Sequence, residues 1–259
     1  MLDQNGILTI AIGKKYAKQA KYLAYSCMIN SPNILRAVIT DLPDSLNDYY
    51  DIIIPYNTQD DPFSLKTRLY EFSPFRKTLF IDADSLVFNN IDFYFNYLEN
   101  SNFVYFGKTV NCGIWYFDIK KICGMINSDW LPKFNTGMLL FRKSEESKQI
   151  FDIAYYYFLN HEKEGIEYPA HRANHYPDEP AFAISLAKCN IKPINDYGRF
   201  SRTLINAKHI HLNVLKRISY FHKDERFNNP LIVHFCGKRN ILYYLREKIR
   251  LFLHFKINI

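Results

Sequence analysis

Thr78-Leu79-Phe80-Ile81-Asp82-Ala83-Asp84-Ser85-Leu86-Val87-Phe88 is apolar on both sides of one acidic step. The flanking runs are short and rich in Leu, Ile, Val and Phe, so they predict buried β structure interrupted by two carboxylates. In an extended backbone residues i and i+2 point the same way, which lets Asp82 and Asp84 face one cation. Open α/β sheets take their ligands at the C-terminal ends of strands, where this pair stands. Hard divalent ions favour such oxygens and use them to hold a diphosphate. A solvated turn is the plain alternative for any Asp-x-Asp.

Upstream, the pattern alternates. Leu8-Thr9-Ile10-Ala11-Ile12 reads as a strand stopped by Gly13, and Tyr16, Ala20, Leu23, Ala24 and Cys27 then recur at helical spacing. Ala37-Val38-Ile39-Thr40 and Asp51-Ile52-Ile53-Ile54 are two more short strands, each closed by a turn with proline. A helix is expected over residues 64–72, before the motif strand. Strands alternating with helices predict an α/β fold with a mixed, mainly parallel sheet. Downstream, residues 134–142 read as a strand, Ser144 caps a helix through Tyr157, and a loop at residues 171–177 precedes a helix opening near Asp178. Leu231-Ile232-Val233-His234-Phe235 is the last strand.

The chain of 259 residues is 48% apolar and 23% charged, ordinary for a globular protein and against a disordered one. Five scattered cysteines without a C-x-x-C pair argue against a disulfide framework or zinc knuckle and for a reducing, cytoplasmic setting. The opening residues carry neither a basic stretch nor an apolar run, so no secretory signal is expected. With 20 Tyr and 21 Phe the chain has rings to spare for stacking on bases or sugars, although most rings in any protein are core filler.

Five segments, in order over residues 7–238, resemble the nucleotide-sugar glycosyltransferases of the GT-A fold, in particular family eight (glycogenin-like and lipopolysaccharide galactosyltransferase-like). Tyr16-Ala17-Lys18-Gln19-Ala20 is similar to the family's first helix, whose leading Tyr stacks on uracil. Lys66 stands where the family keeps a basic residue for the nucleotide sugar. Phe80-Ile81-Asp82-Ala83-Asp84 is similar to its metal motif, and Phe134-Asn135-Thr136-Gly137 to the strand that approaches the donor sugar. Val233-His234-Phe235-Cys236-Gly237-Lys238 is similar to its closing segment, whose His completes the metal shell and whose Lys meets the diphosphate.

The resemblance implies a hexosyltransferase acting with retention, taking a UDP-linked sugar to a glycan acceptor with Mn²⁺ or Mg²⁺. It implies a metal site of Asp82, Asp84 and His234. A donor site would comprise Ala11, Ile12, Gly13, Tyr16, Lys66, Ala83, Asn135, Thr136, Gly137, Gly237 and Lys238. The chain departs from the family twice. Ile12 and Gly13 replace polar residues before the first helix, and Asp178-Glu179 replaces Asp-Gln near the reacting carbon. A glutamate there can act as a nucleophile or stabilise an oxocarbenium-like state, making Asp178 and Glu179 the catalytic candidates. The plain alternatives are a cap and first turn for Asp178 and Glu179, a core histidine for His234, a surface lysine for Lys66 and a core ring for Tyr16.

Two other functions fit parts of the text. A haloacid dehalogenase-like phosphohydrolase also carries Asp-x-Asp after a strand, with Asp82 as nucleophile, but needs a later acidic pair, and Asp60-Asp61 come earlier. A non-catalytic sugar-nucleotide binder is the second. Residues 199–259 hold 13 Lys/Arg against 3 Asp/Glu, while the whole chain is only +7. No nucleic-acid motif accompanies that charge. From Ile241, Leu245, Ile249, Phe252 and Leu253 share one helical face, while Arg246 and Arg250 share another. Residues 1–238 are therefore expected as the GT-A domain and 239–259 as a basic amphipathic helix. That helix suits an anionic membrane surface and a lipid-linked acceptor in surface polysaccharide assembly, or packing on the domain or on a second copy.

Overall fold

The computed structural model describes residues 2–57, 62–167, 176–237 and 240–257. Lys238, the pair Asp60-Asp61 and most of the loop expected at residues 171–177 lie outside them.

The chain opens with β1 (Leu2–Ala11), α1 (Lys14–Asn30), β2 (Leu35–Thr40), β3 (Ile52–Pro55), α2 (Pro62–Lys66), α3 (Leu69–Phe72), β4 (Phe75–Ile81) and β5 (Ser85–Val87). Then come β6 (Phe103–Val104), β7 (Gly107–Val110), α4 (Ile119–Met125), β8 (Leu131–Phe134), β9 (Met138–Arg142), α5 (Glu145–Asn160) and α6 (Glu179–Lys188). The last third holds β10 (Ser201–Thr203), β11 (Lys208–Asn213), β12 (Ile218–Lys223), β13 (Arg226–Asn228), β14 (Ile232–His234) and α7 (Ile241–Ile257). The main sheet has the order β3-β2-β1-β4-β9-β6. Its β1–β2 and β2–β3 pairs are parallel and its β6–β9 pair is antiparallel.

Two compact units divide the chain. Met1–Gln4, Thr58–Thr78 and Tyr97–Asn195 form one; Asn5–Asn57, Leu79–Asn96 and Asp196–Ile259 form the other.

In the second unit α1 lies close to the sheet because its inward residues are small. Ala17, Ala20 and Ala24 pack with Ala11, Val38, Leu46 and Tyr50. The fully buried Leu8, Ala37, Val38 and Ile39 are the residues whose alternation with helices predicted the sheet. At the strand ends Thr40 Oγ1 donates to the Ala11 carbonyl (2.9 Å), and the Gly13 N–H donates to Asp41 Oδ1 (2.7 Å). Gly13 sits at φ +83°, which L side chains rarely adopt, so β1 can turn straight into α1.

A smaller sheet, β10-β14-β5, stands in the same unit. Its β5–β14 pair is antiparallel and sets Ser85 opposite His234. Sheet β11-β12-β13 follows from residues 208–228, where no element was expected from the sequence. The tail is a helix, as expected, and packs by Tyr244, Glu247 and Leu251. Leu245, Ile249, Phe252 and Leu253 are 40–58% exposed, so this face is not the one that packs on the unit.

The first unit corrects two expectations. Residues 134–142 are not one strand: Asn135 Oδ1 accepts from the Gly137 N–H (3.1 Å), and the resulting turn separates β8, paired with β7, from β9, paired with β6. Nor are residues 64–72 one helix. Thr67 bonds Ser64 through both its N–H and its hydroxyl, and this tightened turn ends α2 before α3 begins.

Candidate active site

In the second unit, β4 ends at Ile81 and Asp82-Ala83-Asp84 turns into β5, the Ser85 N–H donating to the Asp82 carbonyl (3.0 Å). The Phe235 N–H donates to the Asp84 carbonyl (2.9 Å), continuing the β5–β14 register past His234. This brings the imidazole to the carboxylates. His234 Nε2 lies 2.9 Å from Asp84 Oδ1 and 3.8 Å from Asp82 Oδ2. One ligand atom from each of the three residues falls within 4.8 Å of the other two. His234 is buried, while Asp82 and Asp84 are partly accessible. Two carboxylate oxygens and an imidazole nitrogen, converging and open on one side, fit a hard or borderline divalent ion such as Mn²⁺ or Mg²⁺.

The rest of the nucleotide set from this unit is placed as follows. Ala11 and Ala83 are buried against α1, and Ile12 and Gly13 form the β1–α1 step. Tyr16 stands half-exposed in the first turn of α1, with Lys15 Nζ 5.0 Å from its ring centroid. Gly237, at φ +92°, follows β14 where a side chain would strain the turn. The sequence reading passed over Asp41. It follows β2 as Asp82 follows β4, and the same strand-end argument would have found it.

In the first unit Lys66 and Asp178 are both buried, 7% and 3% exposed, and Lys66 Nζ stands 3.4 Å from Asp178 Oδ2. This corrects the surface reading of Lys66. It also corrects the capping reading of Asp178, whose side chain makes no cap bond to α6 and pairs with the ammonium instead. Burying two such charges together is tolerable because each neutralises the other. Next to it, Glu179 Oε1 accepts from Asn135 Nδ2 (2.7 Å) and Oε2 accepts from the Tyr116 hydroxyl. Glu179 retains some accessible surface, yet the dense protein around it and the neighbouring Asp178 carboxylate push its pKa up. The donors Tyr116 and Asn135 and the charge of Lys66 pull the other way and do not fully offset this. Thr136 is buried and Gly137 leads into β9. Tyr116 had no signal in the sequence, being 63 residues from the carboxylate it meets.

A carboxylate pair at the C-terminal end of a central strand stands where α/β sheets take their ligands. The family model for glycosyl transferase family 8 matches residues 64–239, and the chain belongs to that family. It is therefore a glycosyltransferase, and the phosphohydrolase and inert-binder readings are set aside. Among solved structures, the chain is similar to an active-site mutant of LgtC with a glutamine changed to glutamate. That similarity has a TM-score of 0.54 at 17% identity, over 91% of this chain and 88% of that one. It is also similar to galactosyltransferase LgtC in complex with donor and acceptor sugar analogs, with a TM-score of 0.54 at 15% identity, over 90% and 87%. At that identity the likeness speaks for the GT-A fold. No curated protein matches the chain in sequence.

Proposed function

We propose that this enzyme transfers a hexose, with retention, from a UDP-linked sugar to a hydroxyl of a glycan acceptor in surface polysaccharide or glycoconjugate assembly. The observation that carries the reading is the convergence of Asp82, Asp84 and His234 in a family 8 chain. The donor and acceptor analogs named with LgtC support both partners by analogy. Asp82, Asp84 and His234 would hold Mn²⁺ or Mg²⁺, which supplies positive charge against a diphosphate. Gly13 with Ala11 and Ile12 offers backbone to the nucleotide, and Tyr16 a ring for the base. Lys66 and Lys238 offset charge on the departing diphosphate. Asn135, Thr136 and Gly137 border the sugar, and Asp178 and Glu179 provide carboxylates to the reacting carbon.

The test is a thermal-shift screen of nucleotide sugars with Mn²⁺, in which a donor at a hundredfold excess over its Kd stabilises by about 2.7 kcal/mol. Asp84→Ala should melt like the parent and lose both the donor shift and turnover. Full turnover in that variant, or in EDTA, sinks the metal assignment.

The acceptor of this reading is lipid-linked, and the enzyme meets it at an anionic cytoplasmic membrane face. Support comes from α7, which turns Leu242, Leu245, Ile249, Phe252 and Leu253 outward. No described helix is long and apolar enough to cross a membrane, and the outward apolar side of α7 is the part that would lie in the interface. Arg246 and Arg250 contribute less than their charge suggests, because both contact the buried Glu247. Ile249→Glu with Phe252→Glu should abolish sedimentation with anionic vesicles and leave melting unchanged. A parent protein that dimerises in solution through this face, and ignores vesicles, rules in favour of a second copy.

A further inference from the structure

The Glu179 carboxylate is held at both oxygens, and the clamp has a defined polarity. The Gly137 N–H donates to Asn135 Oδ1 (3.1 Å), so the Asn135 amide must present its NH₂ to Glu179 Oε1, which lies 2.7 Å from Nδ2. The Tyr116 hydroxyl donates to Oε2. Tyr116 is fixed in turn by Trp115, its ring centroid 4.8 Å away, and by the apolar cluster of Phe117, Ile119 and Leu131. A carboxylate so gripped has one orientation and keeps a lone pair on each oxygen for a further partner.

We propose that Tyr116 is a positioning residue that, together with Asn135, fixes the Glu179 carboxylate for the transfer step. The inference rests on the role given above to Glu179, and it assigns a function to a residue outside every recognisable motif of the sequence. The charged and titratable groups around Glu179 are Asp178, Lys66 and Tyr116. Of these only Tyr116 both donates to the carboxylate and lacks a formal charge, so its removal changes hydrogen bonding without altering the net charge of the site. The lost bond is one to a charged acceptor, the stronger kind, and it favours the ionised form.

Tyr116→Phe should therefore lower kcat roughly tenfold, leave the Mn²⁺-dependent thermal shift by the donor in place, and move the acid limb of the kcat profile to higher pH. A parent-like kcat with an unmoved acid limb overturns the proposal. In a Glu179→Gln background the same change should cost little, and an undiminished cost there also overturns it. A readout without turnover separates this idea from the functional reading beneath it. In ¹³C-carboxylate NMR, with the Glu179 signal assigned by its loss in Glu179→Gln, the titration should move up in Tyr116→Phe; a stationary titration refutes the contact even if no donor sugar is found. Should Tyr116→Phe fail to fold, 3-fluorotyrosine at position 116, a stronger donor, carries the test with opposite sign. The titration must then move down.

Discussion

At Glu179 hydrogen bonding favours the ionised carboxylate while burial and Asp178 oppose it, and the opposition prevails. The sign has two consequences. Because the fold raises this pKa, Glu179 contributes to stability below its unfolded value, and that contribution is lost as pH rises through the folded one. Activity runs the other way: in the role proposed for Glu179 the ionised form does the chemistry, so kcat/KM should rise with pH through a midpoint above the ordinary glutamate range. A pH profile of the parent checks this, and a profile flat from pH 4 to 8 counts against Glu179 as the working carboxylate. Asp178→Asn tests the neighbour. Losing that negative charge should bring the Glu179 midpoint down, and it takes one carboxylate from the buried Lys66 ammonium, at a cost of roughly 3 kcal/mol in urea unfolding. Asp82, Asp84 and His234 were legible in the sequence because each ends a run of obvious strand. Tyr116 was not, because a hydroxyl aimed at a carboxylate far along the chain leaves no local pattern. Lys66 showed its position but not its burial, since a lone lysine reads the same whether solvated or ion-paired.

Elements with one inward face were read from their periodicity: β1, β2, β4 and α1 are buried where the apolar residues repeat, while the isoleucines of β3 are half-buried. The β11-β12-β13 sheet escaped notice although Ile210, Leu212 and Val214 alternate with His211 and Asn213, because its strands are short and mix buried with exposed positions, and a local pattern reports an element only where it runs long enough. The same limit hid the break in residues 134–142. An Asx turn needs only one side chain, and the apolar residues on either side run on without it. The tail shows a polar residue doing what an apolar face was expected to do. Glu247 is fully buried, accepts from the Val214 N–H (2.8 Å) and meets Arg246 and Arg250, while Arg250 also donates to the Leu212 carbonyl (2.8 Å). Glu247→Ala strands the buried Val214 N–H and takes the carboxylate from Arg246 and Arg250, which should cost roughly 3 kcal/mol, with the tail released to protease first. Glu247→Gln, which keeps an acceptor, should cost less. At the other end of this contact Asn30 Nδ2 donates to the Val87 (2.9 Å) and Val214 (3.3 Å) carbonyls and Oδ1 accepts from Arg217 Nε (3.1 Å). Asn30→Leu should cost about 2–3 kcal/mol in the same unfolding assay, because it strands buried acceptors.

Across the whole molecule the arrangement of charge was legible and its use was not. The basic excess of residues 199–259 is a property of composition, whereas the engagement of Arg202 by Asp224 and of Arg250 by Glu247 appears only once the strands and the tail are folded. Membrane affinity should therefore depend less steeply on salt than 13 basic residues suggest, and follow the outward apolar face of α7 more closely. Vesicle binding at rising ionic strength measures the balance; complete release by modest salt would place the weight on charge instead. The pairing of β14 with β5 has an implication for how the protein is made. Asp84 and His234 are 150 residues apart in the chain yet touch in the fold. At ordinary rates of synthesis the histidine is added on the order of ten to thirty seconds after the aspartate. Until it leaves the ribosome the nascent chain holds two carboxylates without their nitrogen partner, and so cannot assemble the metal site proposed for the three. A premature stop between Asp84 and His234 thus yields a chain that carries both carboxylates and lacks the imidazole that meets them in the fold.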